Sequence, residues 1–195
     1  MSSQHTDQRS TGPPAPRRLD RGDHVVAYSA EISAPAEELF VLVSDPHRHH
    51  ELDGSGTVQP RAIGPRQLQT GDRFSVHMRL FGVPYRLPLR VLTSQPPSAQ
   101  RPGVLEWVQP TGHRWRWEMT SLTGRPGHTL VTETYDARRQ LRPVRGLLRL
   151  LKVCPRNAAS IRGSLRRLQE RCEQPSREEV IPAGDRTPGP GHVRG

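Results

Sequence analysis

The chain has 195 residues, enough for one ordinary domain with a real core plus two ends. Its mean hydropathy is −0.72, and no apolar run approaches the roughly 20 residues that span a bilayer. The N-terminus lacks the apolar core of a signal peptide, so the expected compartment is the cytoplasm. The formal net charge is +10. All of it arises between residues 138 and 172, where eleven Arg or Lys face the single Glu170. Residues 1–22 and 173–195 are rich in Pro, Ser, Gln, Gly and Arg without apolar periodicity, which predicts two disordered tails around a folded domain at 23–172.

In chain order, His24 to Ser33 alternates with Val26, Tyr28, Ala30 and Ile32 on one side and reads as the first strand. Ser33-Ala34-Pro35 followed by Glu37 and Glu38 is a helix start, and Asp45-Pro46 repeats the signal for a second short helix through His47 to Leu52. A meander follows. Thr57 to Ile63 is a weak strand, Phe74, Val76, Met78 and Leu80 alternate with polar residues, and Gly82-Val83-Pro84 turns into Tyr85, Leu87, Leu89 and Val91. Leu105 and Trp107, then Trp115, Trp117 and Met119, then Thr129 to Tyr135 supply the remaining strands.

The last helical run, Val144 to Cys172, carries Cys154, Ala158, Ile161, Leu165, Leu168 and Cys172 on one face, extended backwards by Leu147 and Leu151. Arg145, Arg149, Lys152 and Arg156 fall on the opposite face. Pro155 removes one helical hydrogen bond, so the run should break or kink near Leu151 to Cys154, leaving Val144 to Lys152 as a lid-like segment. The two cysteines share a face about 18 residues apart, roughly 27 Å along the axis, too far for a disulfide. The expected fold class is α+β: a curved antiparallel sheet of about seven strands closed around one long C-terminal helix.

This order resembles the START-like (SRPBCC) superfamily of helix-grip proteins. The residues that carry the likeness are Ser33-Ala34-Pro35-Ala36-Glu37-Glu38-Leu39-Phe40, Asp45-Pro46-His47-Arg48-His49 and Arg156-Asn157-Ala158-Ala159-Ser160 onward to Leu168. The likeness is greatest to the bacterial polyketide cyclase/dehydrase and lipid-transport branch and covers about residues 24 to 172. It implies a deep apolar cavity between sheet and helix that takes a small ligand. Such a fold hosts both carriers and enzymes, so it does not by itself name a function.

Residues expected to face the helix, and hence to bind a hydrophobic ligand, are Phe74, Val76, Met78, Tyr85, Leu87, Leu89, Trp107, Trp115, Trp117, Ile161 and Leu165. Trp indole N–H groups in such a place need a partner, which ligand or water can supply. The facing of the last strand is open. If Val131 points inward, so do Glu133 and Tyr135; if Leu130 does, the inward polar groups are Thr132 and Thr134. An inward Glu133 would be the best general acid/base, with Tyr135 orienting a carbonyl or phenol; the plainer reading pairs Glu133 with an Arg on a neighbouring strand.

His47, His49 and His50 are expected in a solvated loop near the cavity mouth, because consecutive positions spread around a helix and do not converge on a metal. No metal and no cofactor are expected, and any enzyme would be a cofactor-free cyclase/dehydratase. The favoured function is carriage of a polyketide, lipid or isoprenoid, with catalysis second. Nucleic acid is disfavoured as a partner, and a weak contact with an anionic membrane surface through the basic helix face is a third reading. The sequence sets no oligomeric state.

Overall fold

The computed structural model describes residues 13–140 and 153–173. The alternating segments pair into one eight-stranded antiparallel sheet. Its strands are β1 (Arg17–Leu19), β2 (Val25–Ile32), β3 (Val58–Ile63), β4 (Arg73–Leu80), β5 (Val83–Gln95), β6 (Gly103–Val108), β7 (Arg114–Ser121) and β8 (Thr129–Asp136). The order across the sheet is β1-β2-β8-β7-β6-β5-β4-β3. Everything after β3 is a meander, and β8 closes back onto β2 in full register from Val25↔Asp136 to Ile32↔Thr129. Among the described residues the helices are α1 (Ala36–Ser44), α2 (His49–Leu52), which follows a 3-10 turn at Pro46–Arg48, and α3 (Val153–Glu173). This is the helix-grip α+β arrangement, with one strand more than expected.

The extra strand corrects the reading of the N-terminal tail. Arg17–Leu19 pairs with Ala27–Ser29 of β2, and Gln169 of α3 donates from Nε2 to the carbonyls of Pro14 and Glu31, both at 3.1 Å. A three-residue strand has too short a pattern to stand out from a polar tail. Of the predicted tails, residues 1–12 and 174–195 lie outside the described residues, as do Leu147 and Leu151 of the apolar stripe, the basic residues Arg145, Arg149 and Lys152, and the segment from Val144 to Lys152. The side chain of Cys154 lies outside them too, whereas Cys172 is a half-buried free thiol.

α3 lays Ile161, Leu165 and Leu168 into the sheet with none of their surface exposed. Pro155 is the third residue of α3 as described, and Leu151 and Lys152, where the break is expected to begin, lie outside the described residues. α1 packs against β6 and β7, and α2 bridges β3 and α3. Asp45 starts the turn that joins them, its Oδ1 accepting from the His47 N–H at 2.9 Å.

The loop after α2 meets α3 backbone to backbone. Gly163 has Gly54 Cα within 2.9 Å of where its own Cβ would stand, and a Cβ on Gly54 would lie 2.1 Å from the Ser160 carbonyl oxygen. Among the described residues no helix is long and apolar enough to cross a membrane.

Candidate functional site

Cross-strand register settles which face of β8 looks inward. Val131, Glu133 and Tyr135 stand opposite Met119, Trp117 and Trp115 of β7 and opposite Ala30, Tyr28 and Val26 of β2. Most of these belong to the apolar core that packs on α3. Glu133 is therefore a carboxyl on the core face, 4% exposed. Thr132 and Thr134 point the other way.

Glu133 faces the middle of α3, where Ser164 is also buried. The Ser164 hydroxyl donates to the Ser160 carbonyl at 3.1 Å and accepts from the Gly54 N–H at 3.1 Å. Among the described residues Glu133 Oε2 has no hydrogen-bond partner. Burial raises its pKa well above the ordinary carboxylate value; the neighbouring Ser164 hydroxyl opposes that shift and the negative charge of Asp53 adds to it. Burial thus favours the protonated carboxyl of Glu133 over its carboxylate.

The expected ion pair with a neighbouring Arg forms on the opposite face of the sheet, around a different acid. Glu106 binds Arg114 and Arg116, each at 2.9 Å, and Arg116 also reaches Glu118 at 3.1 Å.

One residue pair further along, the interior becomes aromatic and polar. The Trp115 ring packs edge-on to Tyr135 at 5.4 Å, and His113 lies 4.9 Å from the same tyrosine. His113 Nδ1 lies 2.7 Å from the Thr111 hydroxyl and 3.0 Å from the Gln140 amide nitrogen. Burial lowers its pKa to about 4, so the ring is neutral. Trp115 Nε1 is buried and, like Glu133 Oε2, has no partner among the described residues. Two polar atoms of the inner face are thus left to be satisfied by something other than the described protein.

His49 departs from expectation. It lies inside the grip, its ring stacked on Trp107 at 5.3 Å and edge-on to Phe74 at 5.8 Å, with Nε2 donating to the Val43 carbonyl at 2.9 Å. Desolvation lowers its pKa. His47 turns away to the Gly64 carbonyl. Among the described residues no group of three His, Cys, Asp or Glu side chains is placed to hold a metal ion.

The inner face opens toward one end. Phe74, Val76 and Leu89 are buried, Met78 and Leu87 are half-buried, and Tyr85 and Leu80 are more than 40% exposed. Trp107 and Trp117 lie deep and Trp115 is half-buried. Because β5 pairs with β6 only from Arg90 onward, the β4–β5 hairpin overhangs the turn between β6 and β7. This is also the end where α3 begins: Arg156 lies over the Phe81 ring at 5.4 Å.

The expected ligand-facing residues therefore form a graded wall, with Ile161 and Leu165 as its floor and Tyr85 at its rim. Two depressions made by the described residues lie elsewhere. One, of about 410 Å³, sits on the outer side of β4 and β5 between Arg73, Arg90, Pro88 and Val108. The other, of about 390 Å³, lies over the Glu106 ion pairs. Sequence reasoning missed Ser164 and Gln169; their signal is the spacing, three or four residues from Ile161 and Leu165, which puts both beside the apolar stripe.

No protein-family model matches the chain. It is 49% identical over 118 residues to an uncharacterized protein of Mycobacterium tuberculosis, and 48% identical over the same length to its counterpart in a second strain. The matched stretch is 60% of this chain, and the chain spans about half the length of these curated relatives.

Solved structures resemble it over most of its length. A START superfamily protein of Mycobacterium smegmatis is 17% identical with a TM-score of 0.50, over 77% of this chain and 98% of that one. The Zhui aromatase/cyclase of a Streptomyces species is 15% identical, TM-score 0.50, over 75% and 94%. A protein of Rhodobacter sphaeroides is 12% identical, TM-score 0.56, over 80% and 96%. At such identities the likeness is one of architecture. A sheet that grips its C-terminal helix, matched by these structures over 75–80% of the chain, gives the chain the START-like helix-grip fold.

Proposed function

We propose that the chain binds a small apolar or aromatic molecule of polyketide, lipid or isoprenoid type between the sheet and α3, with one hydroxyl or carbonyl of the ligand held at Glu133. The observation that carries this reading is the unpartnered, fully enclosed Oε2 of Glu133. Leaving such a group unsatisfied costs about 1–3 kcal/mol, a penalty that a ligand hydroxyl donating to Oε2 removes. A protonated Glu133 can also donate to a ligand carbonyl. Trp115 Nε1, on the neighbouring strand and one pair nearer the mouth, is a second donor for the same molecule. The apolar wall of Phe74, Val76, Met78, Leu87, Leu89, Trp107 and Trp117 supplies the rest of the affinity.

A cyclase/dehydratase-type enzyme is the second reading. It is favoured by the raised pKa of Glu133, since a neutral acid facing an apolar interior can give its proton to a departing hydroxyl. Tyr135, the next core-facing residue of β8 and one pair nearer the mouth, would orient the chain being folded. The experiment is native mass spectrometry of the full chain purified from its own host. A retained hydrophobic compound, lost in Glu133→Leu and unchanged on prolonged incubation, supports carriage. Recovery of the compound with the mass of one water missing supports turnover. A protein that never retains a compound, in host extract or after incubation with it, overturns the proposal.

A further inference from the structure

The hairpin that overhangs the mouth combines features that a purely structural turn does not need. Its two-residue loop is Phe81-Gly82, both with positive φ, at 49° and 82°. That is the turn geometry in which Asn-Gly or Gly-Gly is favoured, and a bulky aromatic in the left-handed region is strained. The same Phe81 is 80% exposed, and Val83, Leu80 and Tyr85 beside it are 64%, 42% and 41% exposed.

Behind this apolar tip the outer face of the hairpin is a cationic ladder. Arg73 stands opposite Arg90, His77 opposite Arg86, and Arg79 completes the row. From Arg73 to Gln95 there is no acidic residue, and among the described residues none of these arginines, nor Arg156 beside Phe81, has an ion-pair partner. Like charges directly opposite across a ladder destabilise it unless something negative faces them.

We propose that the β4–β5 hairpin docks the protein on an anionic lipid bilayer. Phe81, Leu80 and Val83 enter the boundary between head groups and acyl chains, and Arg79, Arg86 and Arg156 lie among the phosphates. A bilayer fits better than an acidic protein, because a narrow convex turn offers little of the roughly 800 Å² per partner that a specific protein interface buries. Insertion into lipid needs only an apolar wedge with cations behind it. The docked hairpin presents the mouth of the grip to the membrane.

The test is co-flotation of the full chain with vesicles of phosphatidylcholine alone and of phosphatidylcholine with phosphatidylglycerol, at low and raised salt. Association at least tenfold tighter with the anionic vesicles and weakening with salt is expected. Phe81→Asn should lower it about tenfold or more while the protein melts at the same or a higher temperature, because Asn suits the left-handed turn. Arg79→Gln and Arg86→Gln should each lower it roughly fivefold. A Phe81→Trp variant should shift its emission to the blue on the anionic vesicles only. Failure to bind them, equal binding to both vesicle types, or undiminished binding by Phe81→Asn overturns the proposal. Retention of an interior compound is scored on the same preparations, so either proposal can fail without the other.

Discussion

Replacing Glu133 by Gln keeps the shape of the side chain and removes its charge, which isolates what a proton-holding carboxyl does to stability. In the unfolded chain the acid titrates near its ordinary value of 4.5, whereas burial against α3 holds the folded-state value well above that. Between those two values unfolding releases a proton, so the folded state loses ground as pH rises. The unfolding constant changes by about tenfold for each pH unit in this window, which in a domain of roughly 150 residues corresponds to about 3 °C in Tm per unit. The Gln variant has no such slope. Thermal melts of both proteins from pH 4.5 to pH 8 should therefore coincide at the acid end and diverge upward, with Glu133→Gln the more stable at pH 8. Every other titrating group is common to the two proteins and cancels in the difference. Parallel curves across the range would refute the claim that Glu133 is buried and neutral.

Four further outcomes follow from the packing. Gly54→Ala places a methyl group 2.1 Å from the Ser160 carbonyl oxygen and 2.3 Å from the Ser164 nitrogen, and should cost about 2 kcal/mol or more in denaturant melts. Leu165→Ala, at a position with no exposed surface, should cost about 3 kcal/mol by the same measurement. Gln169→Leu leaves the Pro14 and Glu31 carbonyls without their donor; a loss of about 1–3 kcal/mol is expected, with faster amide exchange in β1. Trp115→Phe, which removes the unpartnered N–H from a half-buried site, should leave Tm within about 2 °C while lowering retention of a bound compound roughly tenfold.

What could be read from the residues alone was what has a period. The Phe74 to Leu80 alternation and the Ile161, Leu165, Leu168 stripe give strand, helix and their facing surfaces directly, and both helix starts are written in Pro35 and Pro46. β8 was ambiguous because both of its faces mix apolar and polar side chains. Only the register Tyr28↔Glu133↔Trp117 decides it, and register is a property of three strands at once.

The burial of the His49 ring is hidden in the sequence for a related reason. A short helix of His, His and Glu looks wet, and nothing local announces that a tryptophan ring from β6 will cover one imidazole. Ser164 and Gln169 look like polar neighbours of an apolar stripe until the Gly54 loop and the N-terminal strand close over them.

The contact between Gly54 and Gly163 also fixes how the grip can be widened. Two backbones meeting without intervening side chains act as a fulcrum, and Gln169 clamps the C-terminal arm of the helix six residues beyond it. Any displacement of α3 that lets a guest pass must swing the unclamped N-terminal arm, which carries Arg156 beside the hairpin, about this point. Travel is then greatest at the rim and least beside Glu133, so the doorway can flex while the polar anchor stays where it is.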